Sequence, residues 1–282
     1  MEMSIIYDNV RWEEKSIMKA AMDRNHRVNM IDVRSMDMDF DSRLPDSFGS
    51  ITIQRSTSYY RGLHSTAYLE YNGQRVVNDL QVQIIAGNKM FTSLSLRKNG
   101  VPTPRTSAST GYETAMRQFS SKYNERAVLK PVTGSWGRMI ALMNDRAAAM
   151  AILEDREYMY PLYSIFYMQE FIKRPPRDIR VFVTGDSVAG AIYRYSTGDD
   201  WRTNSAIGGE AEKCEVTPEL EDIAIRAARC IGHGIFGVDV MESERGYLVH
   251  EVNSTTEFRN TARAGGVDIP SRIVEFLEDE AR

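Results

Sequence analysis

The feature that most constrains this chain is a strict alternation of two patterns through residue 85. Apolar SIIYDNV precedes RWEEKSIMKAAMDRN, whose apolar residues recur at helical spacing, and RVNMIDV follows. SITIQRS, then YYRGLHSTAYLEYNG closed by Asn-Gly, then QRVVND repeat the order. Strands separated by helices pair in parallel, so this region predicts an α/β lobe with a largely parallel sheet. The interposed SMDMDFDSRLPDSFGS carries four aspartates but lacks the glycine and terminal glutamate of an EF-hand. It is expected to be a solvated loop, not a calcium site.

Beyond this point the pattern changes. LQVQIIAGNKMFTSLSLRKNG predicts one helix ended by Gly100, and VPTPRTSAST an extended link. GYETAMRQFSSKYN and DRAAAMAILEDREYM read as helices, with RAVLKPV a strand and TGSWGRMIALMN a glycine turn between strands. YSIFYMQEFIK, DIRVFVTGDSVAGAIYRYS and GYLVHEVN read as strands around the helix TPELEDIAIRAARCIG. The fold class expected is mixed α/β and α+β in three lobes, residues 1–88, 89–172 and 173–282. The last should hold an antiparallel sheet.

With 282 residues, 42% hydrophobic and 26% charged, the chain can bury the core such lobes need. A net charge of −4 gives no overall attraction to nucleic acid. Cys214 and Cys230 form no CxxC pattern, which fits a reducing compartment and no zinc knuckle. The start MEMSIIYDNVRWEEK turns acidic too early for a signal peptide, and no 18-residue apolar run suggests a membrane span. A soluble cytoplasmic protein is expected.

Polar residues that interrupt apolar strands mark candidate chemistry. Lys130 ends the strand AVLK, where a buried ammonium is costly unless it meets an anion. The turn Gly134-Ser135-Trp136-Gly137 could bring backbone N–H groups to phosphate oxygens, although such a turn can equally be a plain hairpin. It lacks GxxxxGK[ST] and joins strands, so neither a P-loop nor a Rossmann site fits. Glu170, in the apolar, aromatic strand YMQEFIK, is either a solvated edge acid or part of a strand that reads a base. Asp178 and Arg180 share a strand face, and with Arg194 they could be ion partners across strands. Arg202 and Asn204 precede two glycines, and arginine suits carboxylate or phosphate recognition.

Asp239 stands in GIFGVDVME, and Glu251 and Asn253 share a face of YLVHEVNS twelve residues on. A hairpin of that length sets Asp239 beside Glu251. The acids can be neutralised by arginines or by a cation; their interruption of apolar strands favours a cation, with magnesium the best match to one or two carboxylates plus phosphates. The histidines, His26, His64, His233 and His250, show no triad spacing. His250 is expected on the face opposite Glu251.

The order of these features resembles the ATP-grasp superfamily: an early lysine, a strand lysine with a glycine loop, an adenine-strand acid, then Asp…Glu-x-Asn. The resemblance spans nearly the whole chain and implies two α+β lobes clasping ATP behind a pre-ATP-grasp lobe. It implies phosphate contacts from Lys89 and Lys130, and a flexible phosphate loop at Gly134, Ser135, Trp136 and Gly137. An adenine hinge at Gln169, Glu170, Phe171 and Ile172, and a ribose contact from Asp178, are implied likewise. Arg180, Arg194 and Asn204 would meet phosphates and the intermediate, and Asp239, Glu251 and Asn253 would hold Mg²⁺.

The stretches SWGRMI, QEFIKRPPRDIRVFV, WRTNSAIGGEAE and HEVNSTTEFRNT are similar to the LysX/ArgX branch, near RimK. That resemblance implies attachment of α-aminoadipate or glutamate to the terminal glutamate of LysW, a small acidic carrier protein. Asn-Thr after the Glu-Phe pair resembles the aminoadipate type and Gly-Phe the glutamate type; here Asn260-Thr261 follows Glu257-Phe258-Arg259. Arg202, Ser205, Arg259, Asn260 and Thr261 are the implied amino-acid contacts, and a dimer or tetramer the implied assembly. A ligase extending a ribosomal-protein tail would need a basic groove that a charge of −4 does not suggest. A dipeptide-type ligase and a catalytically dead nucleotide-binding module are the other readings, the second opposed by the intact metal-type set.

Overall fold

A computed structural model describes residues 1–134, 137–159, 161–196, 201–203 and 210–282. The first lobe is β1 (Glu2–Tyr7), α1 (Trp12–Asp23), β2 (Arg27–Asp32), β3 (Ile51–Gln54), α2 (Tyr59–Tyr71) and β4 (Val76–Val77). Its sheet runs β2-β1-β3-β4 with every pairing parallel. The chain leaves β1 toward one edge and crosses from β2 to β3 on the other side. The crevice at the carboxyl ends of β1 and β3 is therefore the switch point of the sheet, where open α/β sheets place ligands.

The expected single helix after residue 80 is two: α3 (Leu80–Ala86) and α4 (Lys89–Lys98). The break falls at Gly87-Asn88, and the Asn88 side chain accepts from the N–H groups of Met90 and Phe91, capping α4. Gly87 is wedged against Tyr59, since a Cβ there would lie 1.9 Å from its ring. The break sets Lys89 at the start of a helix, not on its flank. Its N–H donates to Val132 O at 2.7 Å, anchoring that start beside the strand that carries Lys130.

A second sheet, order β5-β8-β6-β7, is built from β5 (Thr106–Ser109), β6 (Ala127–Lys130), β7 (Ala141–Met143) and β8 (Phe166–Glu170). α5 (Tyr112–Tyr123) and α6 (Arg146–Glu157) cover one face, burying Phe119, Leu153, Phe166 and Met168. The third sheet is antiparallel, order β11-β10-β9-β12-β13. Its strands are β9 (Arg177–Thr184), β10 (Ser187–Tyr195), β11 (Ala211–Cys214), β12 (Ile235–Ser243) and β13 (Gly246–Asn253). α7 (Pro218–Ile231) buries Leu220, Ala224, Ala227 and Ile231 against Val181, Val238 and Val252. Leu96 of α4, grouped by sequence with the central lobe, joins this same core.

After α8 (Arg259–Gly265), α9 (Ile269–Glu280) returns to the first lobe. Ile269, Ile273 and Leu277 share one core with Met3, Ile5, Ile17, Ile51 and Phe182, so the first and third sheets are bound by a continuous apolar layer. Asn78 adds a polar clamp, donating to Ile235 O and Ser254 O and accepting from Ile235 N. Glu170 joins the central lobe to the third sheet: its carboxylate accepts from Arg105 N–H at 2.6 Å and from Arg245 at 2.5 Å. No described helix is long and apolar enough to cross a membrane.

Candidate functional site

β12 and β13 form the hairpin that the spacing of the two acids predicted. Asp239 sits directly opposite Glu251, and Gly237 opposite Asn253. A register shift follows Asp239, so that Val240 opposes Val249 and His250 is the extra residue of a bulge. The bulge overturns the expectation that His250 faces away from the site. Its Nε2 lies 3.7 Å from Asp178 Oδ2, facing that carboxylate. Burial is the main influence on its pKa, which lies below the ordinary value.

Asp178 and Arg180 are each in cross-strand ion pairs, with different partners. Register sets Asp178 opposite Arg194 and Arg180 opposite Asp239. Arg194 grips Asp178 with two bonds of 2.8 Å and lies 3.1 Å from Asp239. Arg180 pairs with Asp239 through Nε and Nη2 and donates from Nη1 to Thr256 Oγ1 at 2.6 Å. Burial opposes charge on Arg194, but the two carboxylates outweigh it and keep the guanidinium protonated. Asp178 is 1% exposed and also accepts from Thr203. This corrects its expected ribose role: its carboxylate orients Arg194 and is closed to a sugar.

Glu251 lies 3.2 Å from Lys89 Nζ, which also donates to Gly134 O at 2.6 Å. Burial raises the Glu251 pKa, but Lys89, His250 and Lys130 together hold it well below the carboxylate range. Lys130 is buried and donates to Gln169 Oε1 at 2.7 Å. Burial brings its pKa down to about 8, against the opposing pull of Glu251. Gly134 and Gly137 have φ of 129° and 67°, conformations that side chains rarely adopt. Arg202 donates to Gly137 O at 3.0 Å, so it braces the glycine turn from the far side. Ser135, Trp136, Asn204 and Ser205 lie outside the described residues.

Two cavities meet these groups. The larger, about 520 Å³, is lined by Lys89, Gly134, Gly137, Arg180, Arg194, Asp239, Glu251 and Asn253 at one end. Arg259, Asn260 and Thr261 line it further along, and Arg11, Glu13, Ser56 and Thr57 close it at the β1/β3 switch point. The smaller, about 260 Å³, has Lys130, Gln169, Glu170, Phe171, Ile172 and Met241 on its walls. Its aliphatic and aromatic lining suits a flat ring, while the Glu170 carboxylate is engaged by Arg105 and Arg245. Met241, Arg11, Glu13 and Ser56 were not legible as site residues, because nothing in their local sequence differs from ordinary core or loop.

As a metal site, the hairpin offers two carboxylates and one carboxamide. Asn253 Nδ2 approaches Asp239 Oδ2 at 3.4 Å, and among the described residues no group of three or more acids, histidines or cysteines is arranged to hold a metal ion by itself. These hard oxygen donors suit magnesium, which takes one or two carboxylates and completes its shell with water and phosphate oxygens. Gly237 makes the close packing here feasible: a Cβ would come within 2.3 Å of Thr256 Oγ1.

Comparison with known proteins agrees with this architecture. Residues 86–277 match the RimK-like ATP-grasp domain and residues 3–85 the LysX preATP-grasp domain. The α-aminoadipate–LysW ligase LysX of Sulfurisphaera tokodaii is 34% identical over 99% of both chains. The glutamate–LysW ligase ArgX of the same organism is 30% identical, again over 99% of both. A RimK domain ATP-grasp protein from Sphaerobacter thermophilus shares the fold, with a TM-score of 0.79 over 98% of this chain and 99% of that one, at 24% identity. Cavities, hairpin and family match converge: the chain belongs to the RimK-like ATP-grasp family and is an ATP-dependent ligase.

Proposed function

We propose that the protein joins the α-amino group of α-aminoadipate to the γ-carboxyl of the C-terminal glutamate of a LysW-type carrier, with ATP and Mg²⁺. The observation that carries this reading is the single 520 Å³ cavity, which runs from the phosphate-type groups Lys89, Arg180 and Arg194 to Arg259, Asn260 and Thr261. The full-length likeness to enzymes named for this reaction supports it.

In this reading, the carrier carboxylate attacks the γ-phosphate of ATP, giving an acyl phosphate and ADP, and the amine displaces phosphate. Lys89, Lys130, Arg180 and Arg194 offset charge on the transferring phosphoryl group. Asp178 and Gln169 hold Arg194 and Lys130 in place. Asp239, Glu251 and Asn253 would hold the magnesium, which supplies further charge neutralisation on the phosphates. ADP release should require carrier and aminoadipate together; release with a free dipeptide substrate and no carrier would overturn the assignment.

Two outcomes follow. Since Lys130 loses its proton near pH 8, and not in the usual lysine range, ATP affinity should weaken as pH rises through about 8. The charged form is the one that binds phosphate, so the sign is fixed; titrating ATP affinity between pH 6.5 and 9.5 measures it. A flat profile would show that Lys130 does not meet the nucleotide. Asn260→Gly should shift the aminoadipate-to-glutamate ratio of kcat/KM by about tenfold or more, one methylene being worth ~1–3 kcal/mol. Parallel assays with both amino acids read the ratio, and an unchanged value places the choice elsewhere.

A further inference from the structure

The amine that enters the ligase reaction is an ammonium at neutral pH and must lose a proton before it can attack. Four described carboxylates line the large cavity: Glu13, Asp239, Glu251 and Glu257. Glu13 Oε1 accepts from the N–H groups of Phe258 and Arg259 at 3.3 and 3.2 Å. Asp239 is held by Arg180 and Arg194, and Glu251 by Lys89. Only Glu257 keeps its carboxylate open. Its side chain is 45% exposed, and its one ion partner among the described residues is Arg11 Nη1 at 3.5 Å. That arginine directs its Nε and Nη2 to Glu14, at 3.2 and 2.7 Å.

The backbone around Glu257 is fixed although its carboxylate is not. Arg55 donates to Thr256 O at 3.0 Å, Arg180 donates to Thr256 Oγ1, and Glu13 holds the next two N–H groups. Phe258 is fully buried, edge-on to Trp12 and Phe182. Glu257 is thus a free acid on a rigid support, between the Asn253 end of the cavity and Asn260. Docking a cation on such a group orders one side chain and no backbone.

We propose that Glu257 is a catalytic residue: it binds the substrate ammonium and takes its first proton. The freed amine lone pair forms the C–N bond at the acyl carbon. The C–O bond to phosphate breaks, phosphate leaves with that electron pair, and the second proton passes from nitrogen to the departing phosphate. This inference rests on the reaction proposed above.

Hydroxylamine separates this role from a structural one, because it is already neutral at pH 7 and captures an acyl phosphate as a hydroxamate. Glu257→Gln should lower kcat/KM for aminoadipate by about a hundredfold or more, the usual weight of a general base. Carrier hydroxamate formation with ATP and hydroxylamine should stay within about threefold of wild type, and Glu257→Asp should recover part of the amide activity. Equal losses in both assays would make Glu257 a structural residue, and amide synthesis within twofold of wild type would remove it from catalysis; either overturns the proposal. Absence of carrier hydroxamate with the wild-type enzyme would instead overturn the ligase reaction on which it rests.

Discussion

Glu251→Ala is expected to reduce carrier-dependent ADP release by more than about a thousandfold. The estimate follows from what the carboxylate does in three directions. It stands opposite Asp239 in the hairpin register, lies 3.2 Å from the Lys89 ammonium, and counters the charge of buried Lys130. Its removal takes away half the carboxylate pair available to magnesium and leaves two lysines without a common counter-ion. Glu251→Gln keeps shape and hydrogen bonding but not charge, and should fall nearly as far. The measurement is a steady-state assay over a magnesium titration with thermal unfolding in parallel. Turnover within tenfold of wild type in a folded variant would exclude Glu251 as a magnesium ligand.

The second large effect is on stability. Asp178→Ala should destabilise the protein by about 3 kcal/mol, because it leaves the Arg194 guanidinium, 4% exposed, with only the 3.1 Å contact to Asp239. An orphaned buried charge costs more than a lost pair, so adding Arg194→Met to Asp178→Ala should recover much of the loss in folding while leaving the enzyme inactive. Chemical denaturation of wild type, single and double variants tests this. A double variant no more stable than the single one would place the cost in the cavity left by Asp178. The contribution of the pair also has a defined pH window. Although burial opposes its charge, Arg194 and His250 hold the Asp178 pKa below that of an unfolded aspartate, about 3.9. The stabilisation is therefore fully present above that value and is lost as pH falls through the folded pKa.

Legibility differed between element types. The parallel first sheet and the Asp239/Glu251 hairpin could be read directly, since period-2 strands and a twelve-residue spacing are local properties. The two-helix break at Gly87-Asn88 has a local signal in the Asn88 cap, but the packing of Tyr59 against Gly87, which admits no side chain there, is distant in sequence. The ribose role of Asp178 was implied by the family resemblance, whereas its place on a strand face had suggested an ion partner across strands. The sheet pairs it with Arg194, sixteen residues away, and Arg180 with Asp239. His250 was placed on the wrong face because alternation assumes an unbroken ladder, and a bulge inserts one residue.

By itself, then, the sequence determined the fold class, the order of the phosphate-type lysines and the acid hairpin, and the family resemblance. Each depends on periodicity or on residue types at fixed offsets along one element. Only the tertiary structure decided which charges are committed and which remain open. Arg194 belongs to Asp178 and Asp239, and Glu13 to the backbone N–H groups of Phe258 and Arg259 at the start of α8, whereas the Glu257 side chain stays 45% exposed. Charge pairing acts through space over a few ångströms, and the groups concerned come from three strands of the third sheet, helix α1 and the segment leading into α8. No one-dimensional pattern carries that information.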